Sequence, residues 1–178
     1  MGTIVTILAV LAIALAAFLC YVATKPNTFT VERSQRIQAS PAAVFDKVND
    51  LRQFNSWNPF ARADQTTRIV YEGPASGAGS GYTWNSNGKG GAGKMTILES
   101  ACASKVSMRL EFRKPFVAEN RADFSFVGDG SSTNVTWKMT GHNSYLHKLL
   151  GTLFNMDKLV GGEFAKGLAA LKSQLEPR

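Results

Sequence analysis

Charge is absent from the first 24 residues, and cysteine and histidine are scarce throughout, with two of each in 178 residues. Each shortage excludes something. Cys20 lies inside the uncharged leader and Cys102 is the sole thiol beyond it, so no disulfide can close within the rest of the chain. His142 and His147 fit no ligand spacing such as HExxH or a paired Cys/His cluster, which argues against a metal site and metal catalysis. No motif calls for a cofactor. A G-x-S-x-G elbow is missing, and Cys102 has no basic or histidine neighbour in sequence, so it reads as an inert small apolar group. There is no internal repeat, no low-complexity tail and no run of four basic residues. The net charge of +7 is therefore spread over a solvated surface, and nucleic acid is not the indicated partner. A weaker attraction, to anionic lipid headgroups, fits the same distribution at about 1 kcal/mol per basic group near the surface.

What the leader does contain is an apolar run, Ile4 to Ala23. As a helix at about 1.5 Å per residue it spans roughly the 30 Å hydrocarbon core of a bilayer. A cleaved signal peptide would want a basic start, a shorter apolar core and small residues at the cut site. Instead, no Lys or Arg precedes Lys25, "VATKP" lacks a small-x-small pattern, and "AFLC" has Leu where a lipoprotein site needs a small residue. Residues 1–24 are read as an uncleaved single-pass anchor with Cys20 facing lipid, and 25–178 as one domain of ordinary size. Lys25, Arg33 and Arg36 all follow the apolar run, which leans the domain toward the cytoplasmic side.

The stretch "SNGKGGAGKMT" comes close to a phosphate-cradling loop, with Gly88, Gly93 and Lys94 at the required spacing. Met95 stands where that loop needs Ser or Thr, and the flanking "GYTWN" and "MTILES" alternate like strands rather than opening a helix. A hairpin turning at Asn87-Gly88 explains the glycines better.

Phe29 to Ile37 alternates as a first strand. Ser40-Pro41 then opens a short amphipathic helix carrying Val44, Phe45, Val48 and Leu51, with a second running to Trp57 before Pro59 stops it. Six further strands follow, and several have one dry and one wet face. Val106, Met108, Leu110 and Phe112 oppose Ser107, Arg109, Glu111 and Arg113, for example. This is the pattern of an antiparallel sheet covered on one side. The cover is a long amphipathic helix from about Tyr145 to Leu175, bending at Gly161-Gly162. The fold class is α+β, a curved seven-stranded antiparallel sheet around a C-terminal helix, preceded by one transmembrane helix.

This order of elements, together with "KPNTFTVERSQRIQASPAAVFDKVNDLRQFNSWNPF", "YEGPASGAGSGYTW", "GAGKMTI" and "NMDKLVGGEFAKGLAALK", resembles the SRPBCC or START-like superfamily over essentially the whole chain. In particular it resembles the polyketide cyclase-like branch, whose members often carry one N-terminal membrane anchor. The resemblance implies the helix-grip fold, with a deep apolar cavity between sheet and helix and a habit of binding lipophilic molecules. It does not imply cyclisation chemistry, because one fold hosts many functions.

Asp157 is the acid of most interest. On a continuous helix it turns toward the apolar face, where a buried carboxylate with a raised pKa can serve as general acid or base. If the helix breaks near Asn155, Asp157 instead caps the segment that follows. Arg33, Gln35 and Asn120 share faces with apolar neighbours and are candidate polar contacts in the cavity. The candidate ligand-binding set is aromatic and soft: Trp57, Phe60, Tyr82, Trp84, Met108, Phe112, Phe124, Trp137, Phe154 and Phe164, with Met95 beside them. Most of these also serve as core. Eight of the sixteen glycines lie between Gly73 and Gly93, as turns and bulges or as a mobile cavity mouth. The functional expectation is a membrane-anchored module that binds a lipophilic small molecule beside the bilayer. The alternatives are a cyclase- or hydrolase-like enzyme using Asp157, and a protein-interaction module of the chaperone-associated type.

Overall fold

The computed structural model describes residues 2–88, 90–153 and 155–176. An apolar helix α1 (Gly2–Ala23) precedes strand β1 (Thr28–Ile37). Three short helices follow, α2 (Pro41–Asn49), α3 (Leu51–Trp57) and α4 (Pro59–Arg62). Then come β2 (Arg68–Glu72), β3 (Gly81–Asn85), β4 (Ala92–Ala101), β5 (Lys105–Lys114), β6 (Ala118–Asp129) and β7 (Ser132–His142), and finally α5 (Tyr145–Leu153) and α6 (Met156–Leu175). The seven strands form one antiparallel sheet in the order β1-β7-β6-β5-β4-β3-β2, so the first strand pairs with the last and α6 lies across the dry face.

The short helices start where side chains can replace missing backbone partners. Ser40 Oγ accepts from Ala43 N, Asp50 from Arg52 N and Gln53 N, and Asn58 from Phe60 N. Pro59 was expected to end the helical segment. It instead occupies the first turn of α4, where its lack of an N–H costs nothing.

The C-terminal helix also departs from expectation. It is two helices, and the break falls at Asn155, whose side chain accepts from Lys158 N and starts α6 afresh. Gly161-Gly162 lies within an unbroken stretch of α6. Its first glycine is explained by close approach, since a Cβ at Gly161 would fall on the Arg33 guanidinium. The turn near Gly88 is likewise longer than two residues. Residues 86–91 connect β3 to β4, and Asp64 pins them by accepting from Ser86 Oγ and Gly90 N. Of the clustered glycines, Gly73, Gly77, Gly79 and Gly91 take positive φ and Gly79 N donates to Ile97 O, so they make defined turns.

The dry face is filled unevenly along its length. At one end α2 and α3 press Val44, Val48, Leu51, Phe54 and Trp57 onto Ile37, Val106, Met108, Phe124 and Val135, all at most 1% exposed. Burying each large side chain contributes on the order of 1.5–3 kcal/mol. Toward the ends of β1 and β7 nearest α1 and α5, the same faces carry Phe29, Leu110 and Met139, which are only half-buried.

Gly162 and Gly167 offer a paired test of helix placement, read by urea unfolding of the full chain in detergent. Nothing lies within 4 Å of a Cβ at Gly162, so Gly162→Ala should stabilise by about 0.5–1 kcal/mol through backbone entropy. At Gly167 a Cβ would stand 2.9 Å from Pro59 Cδ and 3.0 Å from Trp137 Cζ3, so Gly167→Ala should destabilise by about 1–2 kcal/mol.

Candidate functional site

Between the open end of the sheet, α4, α5 and the start of α6 lies a cavity of about 1110 Å³. Its floor is a stacked pair, Trp137 of β7 and Phe164 of α6, with ring centroids 4.0 Å apart and planes within 7°. Phe60 meets both rings edge-on at 6.3 and 6.2 Å. The far wall comes from β3 to β5, where Tyr82, Trp84 and Phe112 form a chain of contacts with centroids 6.0 and 5.6 Å apart. Trp84 fits there because Gly93 opposes it across the strand pair; a Cβ at Gly93 would fall on the indole. Met95, Leu110, Val31 and Val160 complete an apolar lining.

The expected binding residues therefore separate into two groups. Phe60, Tyr82, Trp84, Phe112, Trp137 and Phe164 line the cavity. Trp57, Met108 and Phe124 do not reach it; they are packed in the solid end of the core, and Trp57 is fixed there by its Nε1 donating to Lys47 O at 3.0 Å. Strand alternation assigns a side chain to a face but not to a position along the layer, which is why the two groups looked alike in sequence. Phe154 lies outside the described residues. Phe29, Phe54, Asn58 and Met139 also line the cavity. Of these, Asn58 carried no sequence signal beyond its place before Pro59.

The wall also carries polar groups, among them Asn58, Tyr82, Asn120, His142 and His147, with Lys25, Lys114 and Lys148. The Tyr82 hydroxyl is buried and its pKa is pushed up, by desolvation first and by neighbouring Tyr71 second. It stays a neutral phenol. Asn120 lines the cavity as expected, with Nδ2 near Met139 Sδ at 3.9 Å, whereas Gln35 turns back to donate to Arg36 O.

Asp157 does not provide a buried acid. Asn155 is the helix cap, Asp157 sits in the first turn of α6, and its side chain is 58% exposed at the cavity rim. The Arg33 guanidinium holds it in a two-pronged contact, Nη1 to Oδ1 at 3.1 Å and Nη2 to Oδ2 at 2.9 Å, with Nη2 also donating to the Asp157 carbonyl. These hydrogen bonds hold the carboxyl below its usual range and raise the guanidinium. Asp64, the other acid in the wall, is held well below the usual range too, by donors from Ser86 and Thr66. Both stay ionised, the reverse of what a general acid needs. Among the described residues no group of His, Cys, Asp and Glu has the makings of a metal site. Cys102 is exposed on the turn after β4, not packed as an apolar group.

A sheet curled about one long helix, closed at one end by two short helices and hollow at the other, defines a helix-grip protein with an internal apolar pocket. Residues 28–176 match the family described as "Polyketide cyclase / dehydrase and lipid transport", and the chain belongs to that family. No curated protein matches it by sequence. Among solved structures it is similar to protein CV1439 from Chromobacterium violaceum, at 12% identity and TM-score 0.60 over 86% of this chain and 100% of that one. A protein from Thermobifida fusca is similar at 20% identity and TM-score 0.60, over 82% and 92% of the two chains. The Aha1 dimer from Colwellia psychrerythraea is similar at 16% identity and TM-score 0.58, over 83% and 96%. These likenesses show a shared fold.

The Arg33–Asp157 pair gives a pH test with a definite sign. A carboxyl whose folded pKa is depressed stabilises the fold above its unfolded pKa, and this contribution fades as pH falls through the folded value. Melting the full chain in detergent from neutral pH downward, wild type should exceed Asp157→Asn at neutral pH. The two curves should converge below the ordinary aspartate range near 3.8.

Proposed function

We propose that the chain is a membrane-anchored module that binds a lipophilic small molecule, with residues 1–24 as the anchor and 25–178 as the binding domain. The observation that carries this reading is the cavity: about 1110 Å³, aromatic and aliphatic in its walls, at or just above the roughly 300–1,000 Å³ usual for small-molecule pockets. A space of that size and polarity suits a long-chain or multi-ring lipid, with Trp137 and Phe164 at the floor. Tyr82, Asn58 and Asn120 are the groups that would meet an oxygen on such a ligand. The family description includes lipid transport, which agrees.

The anchor is supported by α1, whose 22 residues span about 33 Å and whose apolar side chains point outward, Ile4, Leu8, Leu11 and Leu15 being more than half exposed. Burial of that surface in lipid removes an otherwise large cost. Binding is favoured over a reaction run by Asp157 because that carboxylate, like Asp64, is held ionised by donors, which takes away the cavity acid that reading needs.

Native mass spectrometry of detergent-extracted protein should show an apolar adduct, and Leu110→Trp, which fills the void rather than the packed core, should reduce its occupancy by about tenfold or more, equivalent to about 1.4 kcal/mol. Unchanged occupancy with an intact far-ultraviolet spectrum would count against the cavity as the binding site. The intact mass of membrane-extracted protein should include α1; loss of the first twenty or so residues, at about the length of a signal peptide, would show a cleaved leader instead.

A further inference from the structure

The mouth of the cavity and the C-terminal end of α1 lie side by side. Tyr145 Oη donates to Leu19 O at 3.0 Å and Lys148 Nζ to Ala23 O at 3.3 Å, so α5 is strapped to α1. Lys25, Phe116, His147 and Lys148 line the same opening. Phe116 meets the His147 ring edge-on at 6.4 Å, which joins the loop between β5 and β6 to α5 and makes one continuous surface.

That surface is poorly suited to water. Phe116 is 50% exposed, Val117 86% and Leu146 43%, and α5 has no buried side chain among its described residues although it carries Leu146, Leu149 and Leu150. An amphipathic helix whose described leucines are only half-buried or exposed has the character of an interfacial helix. The bond from Tyr145 to Leu19 sets its depth. Leu19 lies four residues before Ala23, about 6 Å inside the apolar run, so a bilayer that accommodates α1 must also bring the start of α5 to its surface. Tyr21, with Lys25 Nζ 4.4 Å from its ring centroid and bonded to its hydroxyl, is the aromatic and basic pairing found at membrane interfaces. Charge agrees with this placement. Lys25, Lys114 and Lys148 line the cavity, Asp157 is balanced by Arg33, and Asp64 keeps its charge under neutral donors from Ser86 and Thr66, so three cations face one unbalanced carboxylate and the lining is net cationic.

We infer that the cavity mouth is seated on the bilayer that holds α1, with Phe116, Val117 and Leu146 at the boundary of headgroups and acyl chains and the three lysines on anionic headgroups. The ligand then passes between membrane and pocket without crossing water. This rests on the reading of α1 as an uncleaved anchor. Apolar burial of the loop and attraction of the lysines add to a tether that already holds the domain within reach, so no high intrinsic affinity is required.

The test uses the full chain in vesicles of phosphatidylcholine, with and without phosphatidylglycerol, carrying doxyl-labelled lipid as quencher. In a Cys20→Ala background a bimane label is placed either at native Cys102 or at Val117→Cys with Cys102→Ser. Cys102 precedes β5 and Val117 follows it, so the two labels lie about 30 Å apart, at opposite ends of the strand. Quenching several-fold stronger at position 117 than at 102, and stronger still with phosphatidylglycerol, is the expected result. Equal quenching in protein that resists a carbonate wash would overturn the seating and leave the anchor standing. A label at 117 shielded from aqueous iodide but not quenched by lipid would mean a protein partner or a second copy covers the face, and would also overturn it. Release of the protein by carbonate would remove the anchor and this inference together.

Discussion

The stacked contact between Trp137 and Phe164 decides how this domain is filled. It joins α6 to β7 beneath the hollow, and Gly167 permits the approach, because any larger residue there would press on Trp137 and Pro59. On one side of that contact α2 and α3 supply enough side chains to fill the layer, and Phe54, Trp57 and Phe124 meet edge-to-face at 4.9 to 6.1 Å. On the other side α4 and α5 border the layer without filling it. The sheet continues, its dry face continues, and the apolar surface of Phe29, Leu110, Phe112 and Met139 faces a void. An interior normally packs to crystal density, so a hollow of this size, lined by aromatic rings, is a feature of the fold's function rather than of its stability.

Electrostatics at the site follow the same division of labour. Arg33 comes from the edge strand β1, crosses above Gly161 and binds Asp157, which fixes the first turn of α6 over the rim of the hollow. Asp64 plays a corresponding part for the connection between β3 and β4. In both cases a carboxylate holds backbone in place, and Asp157 is the one the sequence marked as a candidate acid. The rest of the wall is mainly apolar, and its polar groups include the neutral Tyr82 phenol, the amides of Asn58 and Asn120, the two histidines and three lysines.

Position relative to α1 gives the pocket its setting. The hollow lies at the end of the sheet where β1 begins and β7 ends, next to the apolar helix, and α5 bridges the two. Under the proposed function, a lipophilic ligand concentrated in the membrane around α1 has a short path to an opening at that end. The solid end of the core, with its polar turns after β4 and β6, points the other way.

Much of this was legible in the residue order. Period-two alternation in β5, β6 and β7 specified strands with one dry face, the uncharged leader specified an apolar helix of bilayer length, and Ser40-Pro41 marked a helix start by its own chemistry. Those features are local, because each depends on residues within a few positions of one another. Met108 and Leu110 show where locality ends. They are neighbours on one face of one strand, yet the first is sealed beneath α2 and α3 and the second lines the cavity, a difference set by helices more than fifty residues away in the chain. Asp157 shows it again. Its spacing from Leu153 and Phe164 was consistent with an inward acid, but the break at Asn155 and the arrival of Arg33 from 124 positions away turned it outward and kept it charged. Sequence by itself determined the elements and their faces, since these follow from short-range sterics and polarity. Only the tertiary structure decided where the layer is full and where it is hollow, because that depends on which distant side chains meet across it.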